Sequence, residues 1–354
     1  MKKIEAFGNY SIIVDCEISH LKNWLTQQQY SAYFVLFDEN TKEHCLPKLS
    51  NALPDFQLIE IQSGEQNKNI ETFEIISEAL LLANADRKAL LINLGGGVIG
   101  DMGGFVAGCY KRGIDFIQIP TTLLAMVDAS IGGKTGINFK GVKNQIGLFA
   151  NPKFVWANPE FLATLPNRHL TNGIAEILKH NILSGKHLKE NYIANLMKDG
   201  DGLIELVANA VRFKNEIVSS DYKEGGARKQ LNFGHTFGHA LESYSLKNDN
   251  EPLIHGEAIA GGMLFELLLC AELNYTSKET VAVLEKMILQ YFEAYKLSNI
   301  AFHTLVDYMK KDKKNNQQEI QFALIKEPGE PCWDIPVDMA LLEKTASFYI
   351  EKYG

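Results

Sequence analysis

The chain has 354 residues, 46% of them hydrophobic and 22% charged, with a formal net charge of −8. That is two or three domains' worth of chain with ample apolar residue for a core, which excludes a disordered protein. The acidic balance argues against nucleic acid as a partner; the densest basic run, Lys310-Lys-Asp-Lys-Lys314, reads either as a solvated loop or as an anion contact.

In chain order, the N-terminal Met1-Lys-Lys-Ile-Glu-Ala6 lacks the apolar stretch of a signal peptide. Tyr33–Phe37 reads as a strand closed by a turn-like Asp38, Glu39 and Asn40, and Phe56–Ile61 as a strand ending near Ser63-Gly64-Glu65. Helical spacing over Ile70–Ala85 puts Phe73, Ile76, Leu80 and Ala83 on one stripe. Leu90–Leu94 and Phe116–Ile119 continue a β/α alternation that implies a mostly parallel sheet. Ligands bind beyond the carboxyl ends of such strands, so Asp38, Glu65, Asp101, Thr121 and Thr122 are expected on one rim.

The run Leu90–Leu94 passes into Gly95-Gly-Gly-Val-Ile-Gly-Asp101, where Gly95, Gly97 and Gly100 satisfy G-x-G-x-x-G at a strand-to-helix handover. Glycines there let backbone N–H groups approach a pyrophosphate; they also serve simply to pack a helix on a sheet. The acid expected about 20 positions later on the ribose is Asp115, which opens the next strand, so the expected dinucleotide site departs from the simple Rossmann pattern. Gly132-Gly-Lys-Thr135 resembles the end of a P-loop, but Asp128 stands where that motif needs glycine, which disfavours nucleotide hydrolysis. Lys134, Lys143, Lys179, Lys214 and Arg228 together suit a phosphate and a carboxylate, although each alone reads equally as a surface cation.

After Pro166 the strand signal fades, and helices are expected over 171–184, 201–219, 232–246, 255–273 and 278–296. The apolar run Ala258–Leu269 is cut by Glu266 and too short for a bilayer. In Leu231-Asn-Phe-Gly-His-Thr-Phe-Gly-His239, His235 and His239 share one helical face, and His255 follows at the head of another helix. With Glu176 and Lys179 on a helix upstream, this points to a metal site, and the spacing favours His235 and His239 as co-ligands. The fold expected is an α/β, Rossmann-like nucleotide-binding domain over 1–166 and an all-helical, metal- and substrate-binding domain over 167–354, with the active site between them. The five cysteines are scattered and form no CxxC pair, which suggests a reducing, cytoplasmic setting.

Gly95–Asp101, Tyr110-Lys-Arg-Gly113, Pro120–Ala125, Val127-Asp128, Gly132–Asn138, Lys143-Asn144, Ala175-Glu176, Asp221–Glu224, Arg228–Glu242 and His255-Gly-Glu257 occur in this order. Jointly they resemble the 3-dehydroquinate synthase family of the shikimate pathway, which leads to the aromatic amino acids. The resemblance implies a zinc- and NAD-dependent cytoplasmic homodimer acting on 3-deoxy-arabino-heptulosonate 7-phosphate, with cobalt or another divalent ion able to replace zinc. It implies Glu176, His235 and His255 as ligands, leaving His239 beside them or against substrate. NAD would lie along Asp38, Asn40, Glu65, Lys68, Gly96, Gly97, Val98, Asp101, Thr121, Thr122, Phe161, Thr164 and Leu165. Substrate would meet Asp128, Lys134, Lys143, Asn144, Lys179, Lys214, Glu224, Arg228, Asn232 and His239, with Arg112 reaching a neighbouring subunit's phosphate and Lys313 or Lys314 joining late in the chain. The alternatives are sister sugar-phosphate cyclases, glycerol-type polyol dehydrogenases, and a non-catalytic NAD sensor. The intact ligand set and the ring of cations argue against the last two.

Overall fold

The computed structural model describes residues 1–50, 52–140, 142–311 and 319–354. The chain divides into two units, Met1–Leu170 with Ala194–Tyr222 and Thr171–Ile193 with Lys223–Gly354. The domain break expected after 166 lies close to the first of these crossings, and residues 194–222 then return to the first unit.

The first unit contains β1 (Lys2–Ala6), β2 (Tyr10–Val14), α1 (Ile18–Thr26), β3 (Ala32–Asp38), α2 (Glu39–His44), α3 (Leu46–Leu49), β4 (Phe56–Ile61), α4 (Ile70–Leu82), β5 (Ala89–Gly95) and α5 (Gly97–Cys109). It continues through β6 (Asp115–Pro120), β7 (Lys134–Phe139), β8 (Val142–Phe149) and β9 (Phe154–Ala157). Among the described residues, seven strands make one sheet in the order β1-β2-β9-β6-β5-β3-β4. Every pairing in it is parallel except β1 with β2. β5 is buried throughout, as a run whose one polar side chain is Asn93 demands of a strand covered on both faces. The chain steps outward from β3 to β4 and returns on the other side of β3 as β5. The carboxyl ends of β3 and β5 therefore flank a topological switch point.

Local chemistry sets the boundaries. Asp38 caps α2 by accepting the Thr41 N–H at 2.8 Å, and the Thr41 hydroxyl accepts the Asp38 N–H in return. α4 stops short of the expected Ala85 because Asn84 takes a φ of 55°. A Cβ on Gly103 would fall 1.9 Å from Asn93 Oδ1, so only glycine lets α5 lie this close to β5. β7 and β8 form a separate antiparallel hairpin in a stretch whose glycines and lysines gave no strand signal.

α6 (Asn167–Ser184) leads into the second unit, α7 (Tyr192–Leu196) leads out of it, and α8 (Gly200–Ser220) packs on β1 and β2 of the first. The second unit then holds α9 (His235–Asn248), α10 (His255–Glu272), α11 (Lys278–Leu289), α12 (Asn299–Lys311) and α13 (Met339–Tyr353). It is helical, with one departure from the all-helical expectation: β10 (Ile320–Ile325) and β11 (Pro331–Val337) pair antiparallel. α11 ends at Leu289 rather than 296, and its last turn tightens as the Tyr291 N–H bonds the Ile288 carbonyl three residues back.

α9 and α10 approach so closely that a Cβ on Gly262 would lie 1.9 Å from the Gly234 carbonyl oxygen, and Gly234 itself has a φ of 79°. Gly234 has no side chain with which to cap α9. Glu266 of α10 does so instead, accepting the N–H groups of Gly234 at 2.6 Å and Phe237 at 3.3 Å. Burial pushes this carboxyl up to about 8, against the pull of those N–H groups. Glu266→Ala leaves two buried donors without an acceptor and is expected to cost about 2–4 kcal/mol in urea unfolding; Glu266→Gln, which keeps an acceptor, costs less. The folded pKa of about 8 lies above the unfolded value near ~4.3, so this stabilisation is full in acid and lost as pH rises through the folded value. The Gln variant should flatten that part of the stability–pH curve.

Candidate active site

In the second unit, α6 presents Glu176 and Lys179 on one buried face, fully and almost fully shielded from solvent, as an ion pair. α9 adds His235 and α10 opens on His255. The Nε2 atoms of these rings lie 3.6 and 3.5 Å from the same Glu176 Oε1, and one donor atom of each of the three residues lies within 4.8 Å of the others. The far side of each ring is also held. His235 Nδ1–H donates to the Phe233 carbonyl at 3.1 Å, and His255 Nδ1 faces Glu242 at 3.9 Å. With Nδ1 turned to an acceptor, each Nε2 faces the centre, as in metal-ligating histidines. Ligands about 2.1 Å from a tetrahedral zinc stand about 3.4 Å apart, so the spacing and the donor set both fit a divalent cation.

The two imidazoles differ electrostatically. Burial, then the Lys179 charge, hold His235 well below the ordinary histidine range. Burial also works to lower His255, but the carboxylates of Glu176 and Glu242 on its two sides outweigh it and carry it to about 9. His239, favoured by spacing as a co-ligand, is exposed and groups instead with Glu242 and His255. Nearby in sequence, a single 3-10 turn holds Arg228, which is buried, and Asn232, whose Nδ2 donates to Glu224 Oε1 at 3.0 Å.

In the first unit, the sheet brings the expected rim together. Asp38 and Asn40 mark the β3–α2 junction, Glu65 and Lys68 the turn after β4, and Gly96, Gly97, Val98 and Asp101 the start of α5. Thr121 and Thr122 follow β6, and Phe161, Thr164 and Leu165 follow β9. Gly96 brings no capping side chain to α5, so the N–H groups of its first turn suit an anion. Asp115 lies at the other end of its strand, where it accepts the Tyr30 hydroxyl at 3.0 Å and faces Lys153 at 3.4 Å. Lys68 is buried, and its Nζ donates to Asp101 and Asn144, each at 2.5 Å. Lys214 on α8 donates to the Asp128 carbonyl at 2.6 Å and pairs with its carboxylate at 2.8 Å.

Asn40, Arg112, Lys134 and Lys143 are exposed on their elements, with Arg112 at a φ of 69°. Lys313 and Lys314 lie outside the described residues. Sequence reading gave no role to Glu242, although His235, His239 and Glu242 follow an i, i+4, i+7 pattern that puts all three on one face of α9. Among the described residues, no helix is long and apolar enough to cross a membrane.

The same architecture recurs in solved enzymes. 2-Deoxy-scyllo-inosose synthase, complexed with carbaglucose-6-phosphate, NAD+ and Co2+, matches 97% of this chain and 98% of its own, with a TM-score of 0.84 and 24% identity. A 2-epi-5-epi-valiolone synthase from Streptomyces hygroscopicus subsp. jinggangensis, with NAD+ and Zn2+ bound, matches 99% of this chain and 98% of its own at a TM-score of 0.84 and 25% identity. The fold is that of the sugar-phosphate cyclases. Sequence narrows the class: the family models for 3-dehydroquinate synthase, N-terminal and C-terminal, match residues 58–172 and 173–315. A 3-dehydroquinate synthase of Parabacteroides distasonis is 40% identical over 344 residues, covering 95% of this chain and 96% of its own. One from Leptospira interrogans is 44% identical over 296 residues, 81% of this chain and 80% of its own. The chain belongs to the 3-dehydroquinate synthase family and is a cyclising lyase.

The buried Lys68 gives the first unit its own test. Burial raises the Asp101 carboxyl while the adjacent Lys68 charge opposes that rise. Asp101→Asn removes the countercharge of a buried ammonium and is expected to cost roughly 3 kcal/mol in urea unfolding of the ligand-free chain.

Proposed function

We propose that this chain converts 3-deoxy-arabino-heptulosonate 7-phosphate to 3-dehydroquinate and phosphate, using recycled NAD and one divalent ion, zinc or cobalt, held by Glu176, His235 and His255. The observation that carries the reading is the convergence of two Nε2 atoms, at 3.5 and 3.6 Å, on one buried carboxylate oxygen. The bound NAD+ with Co2+ or Zn2+ in solved cyclases of this fold supports it. When bound, the ion supplies Lewis acidity toward a substrate hydroxyl, and NAD supplies a hydride acceptor that is restored within each cycle.

The chain's own residues bind and orient. The sheet rim from Asp38 to Leu165, with the uncapped start of α5, cradles the dinucleotide. Lys179 and Arg228, being buried, meet substrate anions where charge is weakly screened. Lys214, fixed by Asp128, and Lys134, Lys143 and Asn144 on the hairpin add further contacts to phosphate and carboxylate. Asn232, steadied by Glu224, and His239 complete the contacts to the substrate's acid and phosphate. The working form is a cytoplasmic homodimer in which Arg112 serves the neighbouring site; five free thiols support the reducing setting.

Phosphate release is measured with catalytic NAD before chelation, after it, and after zinc is restored. Turnover far exceeding NAD, lost on chelation and recovered with zinc, is expected; no release from the metal-loaded protein overturns the reading. His235→Ala is expected to lose metal and activity together, and stoichiometric zinc in that variant would refute the ligand set. Because His255 carries a proton up to about pH 9, metal uptake should release a proton and tighten as pH rises toward that value.

A further inference from the structure

Asn138 ends the polar run that opens β7, and nothing above assigns it a role. Its backbone N–H donates to the Lys68 carbonyl at 2.8 Å. Its side-chain Nδ2 donates to Glu65 Oε1 at 2.8 Å and reaches the Glu65 carbonyl at 3.3 Å. Its Oδ1 accepts the Asn144 N–H at 2.9 Å. Asn144 is held at a φ of 50°, and its own Oδ1 accepts from Lys68 Nζ at 2.5 Å. The contacts close a ring: from the turn at 65–68 to Asn138, on to Asn144, and back to Lys68, which also grips Asp101.

The ring requires an amide in one orientation, with the acceptor facing an N–H and the donor facing a carboxylate. Aspartate keeps the acceptor but sets a second carboxylate against Glu65; alanine removes both. β8 is exposed along its whole length, so burial does not fix the conformation of Asn144; beside the pairing of β8 with β7, these hydrogen bonds hold it.

We propose that Asn138 is a positioning residue that couples the turn bearing Glu65 and Lys68 to the hairpin bearing Asn144, so that NAD binding at the one pre-orders the other for substrate. The inference rests on the NAD reading given above. Ordering shared between two sites makes each ligand favour the other, typically by roughly tenfold.

NAD affinity is measured by calorimetry for the wild type, Asn138→Asp and Asn138→Ala, with amide exchange over 65–68 and 142–146 followed with and without NAD. In the wild type, NAD should slow exchange at 142–146 as well as at the turn. Asn138→Asp should weaken NAD roughly tenfold and abolish that transmitted protection, with Asn138→Ala intermediate. Should the Asp variant fail to fold, Asn138→Ser, which also loses the amide donor, takes its place. Variants that melt lower yet bind NAD and protect the hairpin like the wild type would make Asn138 merely structural and overturn the proposal. A wild type that bound no NAD would instead overturn the cofactor reading, and the inference with it.

Discussion

A carboxylate sealed from solvent needs positive charge around it, and Glu176 imposes that need on the second unit. Lys179, three residues on along α6, meets part of it. His255, raised to about 9, adds a second charge, whereas His235 brings an uncharged imidazole; the two rings stand at the starts of two different helices. Bringing their Nε2 atoms to one oxygen requires α9 and α10 to pass closer than side chains allow, hence glycine at 234 and 262. That glycine removes the cap from α9, and Glu266 reaches across from α10 to replace it. The central carboxylate thus explains features that look unrelated along the chain. It also explains why two similar imidazoles diverge: one is crowded by an ammonium, whereas the other lies between two carboxylates.

The first unit obeys a different rule. Its central strands are covered on both faces, so their side chains are mostly apolar, with Asn93 and Gln118 buried within β5 and β6, and other polar groups gather at the strand ends. This is why residues as far apart in sequence as Asp38 and Thr122 share a rim. Charge enters the unit where it is paired: Lys68 is held by Asp101 and Asn144, and Lys214 by Asp128.

What the sequence disclosed follows from these rules. β3 to β6 were legible because largely apolar runs ended in turn residues, and the start of α5 because glycines marked a strand-to-helix handover. The histidine pair was legible from its helical spacing, yet that spacing chose His239 over His255. Periodicity along one helix cannot report a side chain that another helix brings alongside, and here it was the family resemblance that pointed to His255. The hairpins β7–β8 and β10–β11 were missed because both carry residues unfavourable to strands. The first is built on glycine, lysine and asparagine, and in the second β11 opens on Pro331 and contains Pro336. The return of α8 to the first unit was hidden because its apolar face is the same whichever core it covers.

Preorganised charge is what a site of this kind must provide before substrate arrives. The second unit fixes its charges by burying them, so that neither Glu176 nor Lys179 can relax toward water. The first unit fixes Asn144 on an exposed strand, where burial is not available, and uses a closed set of hydrogen bonds instead. Burial leaves a record in sequence as periodicity, because it acts on every residue of a helix face. A hydrogen-bonded ring acts through single atoms of residues as distant as Glu65 and Asn138, 73 positions apart, and leaves no period at all. The residues that orient a site can therefore stay silent in a sequence in which the residues that fill it are conspicuous.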